Sequence, residues 1–340
     1  MPTPSASLQE ADLMRRGLTS LLSWLSLAVL GALILGCGSG AGAPASPTAA
    51  VPASATASPT PVAAFPQSAT DSRGVRLELA AAPKRIISLS PGVTETLYAI
   101  GAGGQIVATD RFSDFPAEAA RTTKLDYSQP SAEATVALTP DLVIMTTRQE
   151  AQVEQFRALR LPVLFMEEPK SLAAVVESAR LYGRLTGHAA EGEQLAASLQ
   201  ARIDRVVAQV PPGEGPRVFY ELTPDLYTVA PESFVGSMLT TLRARNIVQG
   251  ARTAFPQISA ETVITGNPEV ILLVDGGARS GGQSAATVSA RPGWGGIDAV
   301  RNRRVVALEP DTVNRPSPRI VDGFEAIARA IYGDRLGGTR

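Results

Sequence analysis

The chain predicts an α/β fold of two related lobes with parallel sheets, joined by one long helix. Three observations carry this: an internal repeat, short apolar runs alternating with helical stripes, and an amphipathic stretch between the repeat copies. The repeat is the sharpest. Ser131-Ala132-Glu133 leads through a helical turn or two into Pro140-Asp141-Leu142-Val143-Ile144-Met145. In the same register, Ser259-Ala260-Glu261 leads into Pro268-Glu269-Val270-Ile271-Leu272-Leu273. Both copies read as a Ser N-cap, Glu in the first turn, a short helix, a proline and a buried strand. Fifteen gap-free positions of matching character argue against coincidence.

The linking helix is predicted over 189–210. Leu195, Leu199, Ile203, Val206, Val207 and Val210 make its apolar stripe, and Pro211-Pro212-Gly213 ends it, because proline has no N–H to donate. At 1.5 Å per residue it spans roughly 33 Å, about the width of a domain.

The elements then follow in order. Arg15-Arg16 precede an uncharged, largely apolar run over 18–35 that closes on Ile34-Leu35-Gly36-Cys37. The run is about long enough to cross a bilayer. The chain's one cysteine directly after it instead resembles a bacterial lipobox, with Leu35 larger than that pattern prefers. That resemblance implies a signal peptide over 1–36 and lipidation of Cys37. Residues 37–70 are expected to be a disordered Ala/Pro/Ser/Thr-rich tether, of which 38–66 carry no charge. Such a segment spans roughly 30 Å as a coil and up to about 90 Å as polyproline II.

Order is expected from Asp71. Predicted strands cover 75–79, 86–89 and 106–108, with a helix starting near Thr94-Glu95 and a loop over 109–116. After the first repeat copy come a helix over 150–159, a strand over 162–165 and a helix over 172–185. The N-terminal lobe thus takes 71–187, the interlobe helix 188–210 and the C-terminal lobe 211–340. In the latter, a strand over 217–222, a helix over 234–244, the second repeat copy, a flexible loop over 276–282 and a strand over 305–308 precede a final helix. Ser317 is expected to cap that helix, with Ile320, Val321, Phe324, Ile327 and Ile331 as its buried stripe.

Composition narrows the function. A net charge of −1 and a pI near 6.0, with no Lys/Arg run, give no electrostatic case for nucleic acid. Beyond Cys37 there is no cysteine, so no disulfide or thiol catalysis, and His188 is the only histidine, so no histidine metal cluster. No nucleophile elbow, P-loop or dinucleotide fingerprint is present, and no catalytic residue, resident cofactor or metal is expected. On parallel sheets, ligands bind beyond the carboxyl ends of the strands. Between two lobes, that edge holds Arg111, Phe112, Tyr127 and Arg148 from one side, with Tyr227, Phe255 and 311–315 from the other. Aromatic walls and a few cations suit a large amphipathic ligand.

Several segments resemble the cobalamin and iron-siderophore substrate-binding proteins of ABC importers. They are Arg85-Ile86-Ile87-Ser88-Leu89-Ser90-Pro91, Thr94-Glu95, Ala99-Ile100-Gly101, Phe112-Ser113-Asp114-Phe115-Pro116, Pro140-Asp141-Leu142-Val143 and Arg315-Pro316-Ser317-Pro318-Arg319-Ile320. The likeness covers nearly all of 71–333 and is nearest to vitamin B12-binding proteins. It implies two Rossmann-like lobes in a class III periplasmic-binding fold, with a rigid linking helix and limited closure. It also implies a monomer outside the cytoplasm, lipid-anchored to the cell membrane, serving an ABC permease dimer and its ATPase. Ligand-lining roles are implied for Phe112, Tyr127, Phe255, Asp311 and Arg315, and permease docking for Glu133 and Glu261. The pattern departs at Thr146, where an aromatic is expected. Cobalamin is the favoured ligand. A ferric siderophore would call on Arg111, Arg148 and Arg315, and haem would need Tyr127 as axial ligand. An enzyme or an extracellular sensor reusing the fold is the reading from another class.

Overall fold

The computed structural model describes residues 64–276 and 282–337. Its N-terminal lobe opens with an antiparallel pair, β1 (Gln67–Thr70) and β2 (Arg76–Leu79). Asp71 makes the turn between them, its carboxylate accepting from the Arg73 and Val75 N–H groups at 2.8 and 2.9 Å. The strand at Gln67 corrects the expected tether, which ran to residue 70. Small, uncharged residues hid it, since the ladder needs only backbone groups. The signal peptide, Cys37 and the tether up to residue 63 lie outside the described residues, as do 277–281 of the expected flexible loop.

The chain continues through β3 (Ile86–Ser88), α1 (Pro91–Ala99), β4 (Ile106–Asp110), β5 (Thr123–Leu125), α2 (Ala132–Ala137), β6 (Leu142–Thr146), α3 (Val153–Ala158) and β7 (Val163–Met166). These strands form one parallel sheet in the order β5-β4-β3-β6-β7. Two helices follow, α4 (Leu172–Thr186) and α5 (Ala189–Gln209). The C-terminal lobe holds β8 (Arg217–Glu221), α6 (Phe234–Thr241), β9 (Arg245–Asn246), α7 (Ala260–Gly266), β10 (Val270–Leu273), α8 (Ala285–Ser289), α9 (Asp298–Arg301), β11 (Val305–Ala307), α10 (Pro310–Asn314) and α11 (Ile320–Tyr332). Its parallel sheet runs β11-β10-β8-β9. With β5 set aside, the two orders coincide: β4-β3-β6-β7 matches β9-β8-β10-β11.

The repeat has a physical basis. Ser131 and Ser259 accept from the N–H groups of Ala134 and Thr262 at 3.2 and 3.1 Å, capping α2 and α7. Asp141 accepts from the Lys84 and Arg85 N–H groups, both at 2.8 Å, and Glu269 accepts from the Arg217 N–H at 2.9 Å. Each carboxylate thereby ties the start of one central strand to its neighbour. Arg85 and Arg217 complete the match by donating to carbonyls at the ends of α2 and α7, Leu138 O at 2.7 Å and Asn267 O at 2.8 Å. The sequence unit is a strand-pairing device used twice.

Helices α4 and α5 form a tight antiparallel hairpin. A Cβ on Gly192 would lie 2.7 Å from Ala179 O, and one on Gly183 would lie 2.9 Å from the Gly192 Cα, so both positions require glycine. Leu199, Ile203 and Val206 of α5 pack with Val175, Val176 and Ala179 of α4 in the C-terminal core. Tyr182 and Leu185 of α4 enter the N-terminal core, and Leu195 touches both.

Four local readings need correction. Val207 is 40% exposed and leaves the apolar stripe. Helix α1 begins at Pro91, not near Thr94, because proline is well suited to a first helical position. Strand β4 extends to Asp110, shortening the expected loop. Helix α11 begins at Ile320, and the Ser317 hydroxyl caps nothing: it is buried without a partner, while the Ser317 carbonyl accepts from the Ile320 N–H at 3.0 Å. The expected α11 stripe is buried throughout.

Candidate ligand cleft

Parallel strands put all their carboxyl ends on one edge, and a cavity of about 690 Å³ opens there between the two lobes. From the N-terminal lobe it is lined by Ser90 to Gly92 after β3, Tyr127 after β5, Thr147 and Arg148 after β6, and 167–170 after β7. From the C-terminal lobe come Glu232 to Phe234 at the start of α6, Ala254 and Phe255, and residues of the 310–316 segment.

Of the residues expected in the cleft, Tyr127, Arg148, Phe255, Asp311 and Arg315 line the cavity. Phe255 is 55% exposed, an apolar side chain left facing open space. Phe112 is outside the lining and 47% exposed. It meets Tyr127 edge-on, with ring centroids 5.0 Å apart, and Arg111 stacks over its other side at 4.9 Å. Arg111 also pairs with Asp126 at 3.2 Å and is absent from the lining. Tyr227 is outside the lining, its backbone bridging to Gln257 and its side chain exposed.

Tyr127 is held by a residue the sequence did not single out. Gln149 is fully buried and donates to the Tyr127 carbonyl and, at 3.1 Å, to Leu89 O, while accepting from the Thr146 N–H at 2.9 Å. A glutamine inside an otherwise ordinary polar helical stretch carries no signal of this. The Tyr127 phenol is pushed up by burial and by the nearby Glu168 carboxylate, while Arg148 hydrogen-bonds it and pulls the other way. Burial likewise pushes up Glu168, and the hydroxyls of Thr146 and Ser90 hold it partly down.

Arg315 is already committed. Its guanidinium contacts Glu95 at 2.9 Å, Asp114 at 3.1 Å and Asp311 at 3.1 Å. Arg319 adds a two-pronged contact to the same Glu95, at 2.8 and 2.6 Å, and stacks over Phe115 at 3.8 Å. Glu95, Asp114 and Phe115 belong to the N-terminal lobe, and both arginines to the C-terminal one. Glu95 is only 3% exposed, so this is a clamp between the lobes in a dry setting. Beside it, Gly92 comes so close to Pro316 that an added Cβ would lie 2.5 Å from its carbonyl oxygen. The three arginines therefore do not converge as a cationic site: one is outside the lining and one is neutralised. Lys170 pairs with Glu167 at 2.8 Å.

Glu133 and Glu261 sit at the second position of α2 and α7, exposed, and among the described residues neither makes an ion pair. His188 lies between α4 and α5 with Nδ1 3.1 Å from the Thr186 carbonyl, away from the cavity. Among the described residues no group of His, Cys, Asp and Glu could hold a metal ion, and no helix is long and apolar enough to cross a membrane.

Comparison with known proteins places the chain in a family. The family model described as periplasmic binding protein matches residues 86–312. An uncharacterized ABC transporter substrate-binding lipoprotein of Bacillus subtilis is 29% identical over 280 residues, covering 79% of this chain and 87% of the relative. A cobalamin-binding protein of Halobacterium salinarum is 28% identical over 302 residues, covering 86% and 82%. The solved structure of a periplasmic haem-binding protein from Roseiflexus sp. RS-1, in apo form, superposes with a TM-score of 0.64 at 27% identity, covering 75% of this chain and all of that one.

The clamp generates a stability prediction. Glu95→Ala removes the one carboxylate paired with Arg319 among the described residues and one of the three around Arg315, so unfolding free energy should fall by about 3 kcal/mol. Urea denaturation followed by Trp294 fluorescence measures it, and a loss within ±0.5 kcal/mol, as for ordinary surface sites, would remove the clamp from the account.

Proposed function

The chain belongs to the periplasmic binding protein family, whose members are non-enzymatic components of transport, and from that premise we propose that it captures a cobalamin-type ligand between its lobes and delivers it to an ABC importer. The observation that carries the ligand choice is the cleft's balance of groups. Tyr127 and Phe255 supply aromatic wall, Phe112 meets Tyr127 edge-on, and Arg315 is surrounded by three carboxylates, leaving Arg148 as the one unpaired lining cation among the described residues. Such a cleft fits a bulky amphipathic molecule of little net charge better than an anionic ferric siderophore, which needs free cations. Haem fits less well too. Among the described lining residues Tyr127 is the one tyrosine, and no histidine, cysteine or methionine stands with it to complete an axial pair. The cobalamin-binding name of the Halobacterium relative points the same way.

In this reading Phe112, Tyr127, Phe255 and Asp311 form or support the ligand wall, and Arg315 shapes it through the clamp rather than by meeting ligand charge. Cleft opening is set in advance by the Glu95 contacts, so closure on binding is small. The mature chain keeps one tryptophan, Trp294, once residues 1–36 are removed. Mixed with cyanocobalamin and desalted, it should carry the ligand's visible absorbance through the column at one equivalent. Tyr127→Ala should weaken binding by about 1–3 kcal/mol in calorimetry through loss of a large aromatic contact. Unchanged affinity with an intact fold would move the site elsewhere.

Delivery requires a membrane address and a partner. The lipobox resemblance and the lipoprotein name of the Bacillus relative support Cys37 as the lipidated residue. Cys37→Ala should release the protein from the membrane fraction; retention through the apolar run over 18–35 would make the anchor a helix instead. The matched Glu133 and Glu261, one exposed on each lobe, suit a two-fold symmetric permease that presents arginines. Interaction with the dipole of so short a helix, about 0.3–1 kcal/mol, explains a glutamate at either site but not a use for the pair. Glu133→Arg with Glu261→Arg should leave ligand affinity near wild type and abolish uptake and ATPase stimulation. Normal uptake by the double variant would leave only the helix-dipole role.

A further inference from the structure

The charges lining the cleft are more specific than its aromatic content. Four carboxylates, Glu167, Glu168, Glu232 and Asp311, face the cavity with three cations, Arg148, Lys170 and Arg315. Lys170 is paired with Glu167, and Arg315 with Asp311 and two further carboxylates behind the lining. Arg148 is the one lining cation without an ion pair among the described residues. Glu168 is different from the other acids. It lies just past the carboxyl end of β7, half-buried in the cavity wall beside Ser90. Its only direct hydrogen bond within 3.5 Å among the described residues is a long one, from the Ser90 hydroxyl at 3.4 Å. A half-buried carboxylate with spare acceptor capacity costs free energy unless a donor reaches it.

Resting on the corrinoid reading above, we propose that Glu168 makes the cleft charge-selective: it receives an N–H donor from an amide on the ligand's rim and repels a carboxylate in the same place. The corrin rim carries primary amides, each with two N–H donors, so the parent ligand can satisfy Glu168. Hydrolysis of the facing amide replaces donors with a second anion, and like charges at close range in a partly dry site are strongly unfavourable. The same arithmetic disfavours ligands with carboxylate fringes generally. Specificity of this sort comes from a repulsive element as much as from an attractive one.

The test titrates the mature protein calorimetrically at neutral pH with cyanocobalamin and with each of its monocarboxylic acids, in which one rim amide is hydrolysed. At least one isomer should bind about tenfold more weakly than the parent. In Glu168→Gln, an uncharged side chain of the same length, the ratio between that isomer and the parent should collapse towards one, whatever the variant's absolute affinity. Equal binding of all isomers to the unaltered protein, or a ratio untouched by Glu168→Gln, overturns the inference while leaving cobalamin capture standing. Failure of cyanocobalamin itself to bind overturns the corrinoid reading, and this inference with it.

Discussion

The cleft depends on one carboxylate. Glu95 comes from α1 of the N-terminal lobe and is held by Arg315 and Arg319 of the other lobe, at 2.6 to 2.9 Å. An ion pair of this kind contributes little net stability over an apolar contact, because desolvation offsets most of the attraction. What it contributes is specificity of arrangement: with any partner displaced, a nearly buried charge is left unanswered. Gly92 and Pro316 press together alongside it, and Phe115 lies beneath Arg319, so charge, backbone and aromatic contacts all fix the same lobe spacing. The α4–α5 hairpin holds the lobes from the far side, through glycines that admit no side chain.

From that fixed spacing the rest follows. Two parallel sheets of like strand order direct their carboxyl ends to a common edge, and the loops there carry Tyr127, Glu168 and Phe255 into one cavity. Because Arg315 is spent on the clamp, the cleft is left aromatic and mildly acidic. The proposal of a neutral, amide-rich ligand rests on those properties.

Much of this was legible in the sequence, and the pattern of what was legible has causes. The lobe repeat could be read because it encodes backbone chemistry: serine caps, and carboxylates that accept from the next strand's N–H groups, must recur at fixed spacing to work twice. Helix α11 could be read because its buried face is continuous. Residue placement in the cleft was partly legible, since strand ends can be counted, and Tyr127, Phe255, Asp311 and Arg315 do line it. Partners were not. Arg315 and Glu95 are 220 residues apart in sequence, so no local pattern showed that the arginine is neutralised. Phe112 meets Tyr127 edge-on and stays exposed outside the lining, a side-chain placement that counting strand ends does not reach. The role of Gln149 exists only once three separated backbone groups surround it.

The claim that lobe spacing is fixed before the ligand arrives is open to one direct measurement. A soluble chain beginning after Cys37 has no cysteine, so thiols introduced at Glu133 and Glu261, exposed on opposite lobes, take spin labels cleanly. Pulsed electron–electron distance measurement should give the same separation, within about 2 Å, with and without cyanocobalamin. A ligand-induced shift well beyond that would contradict a pre-set cleft and make closure, not the Glu95 clamp, the feature that shapes the site.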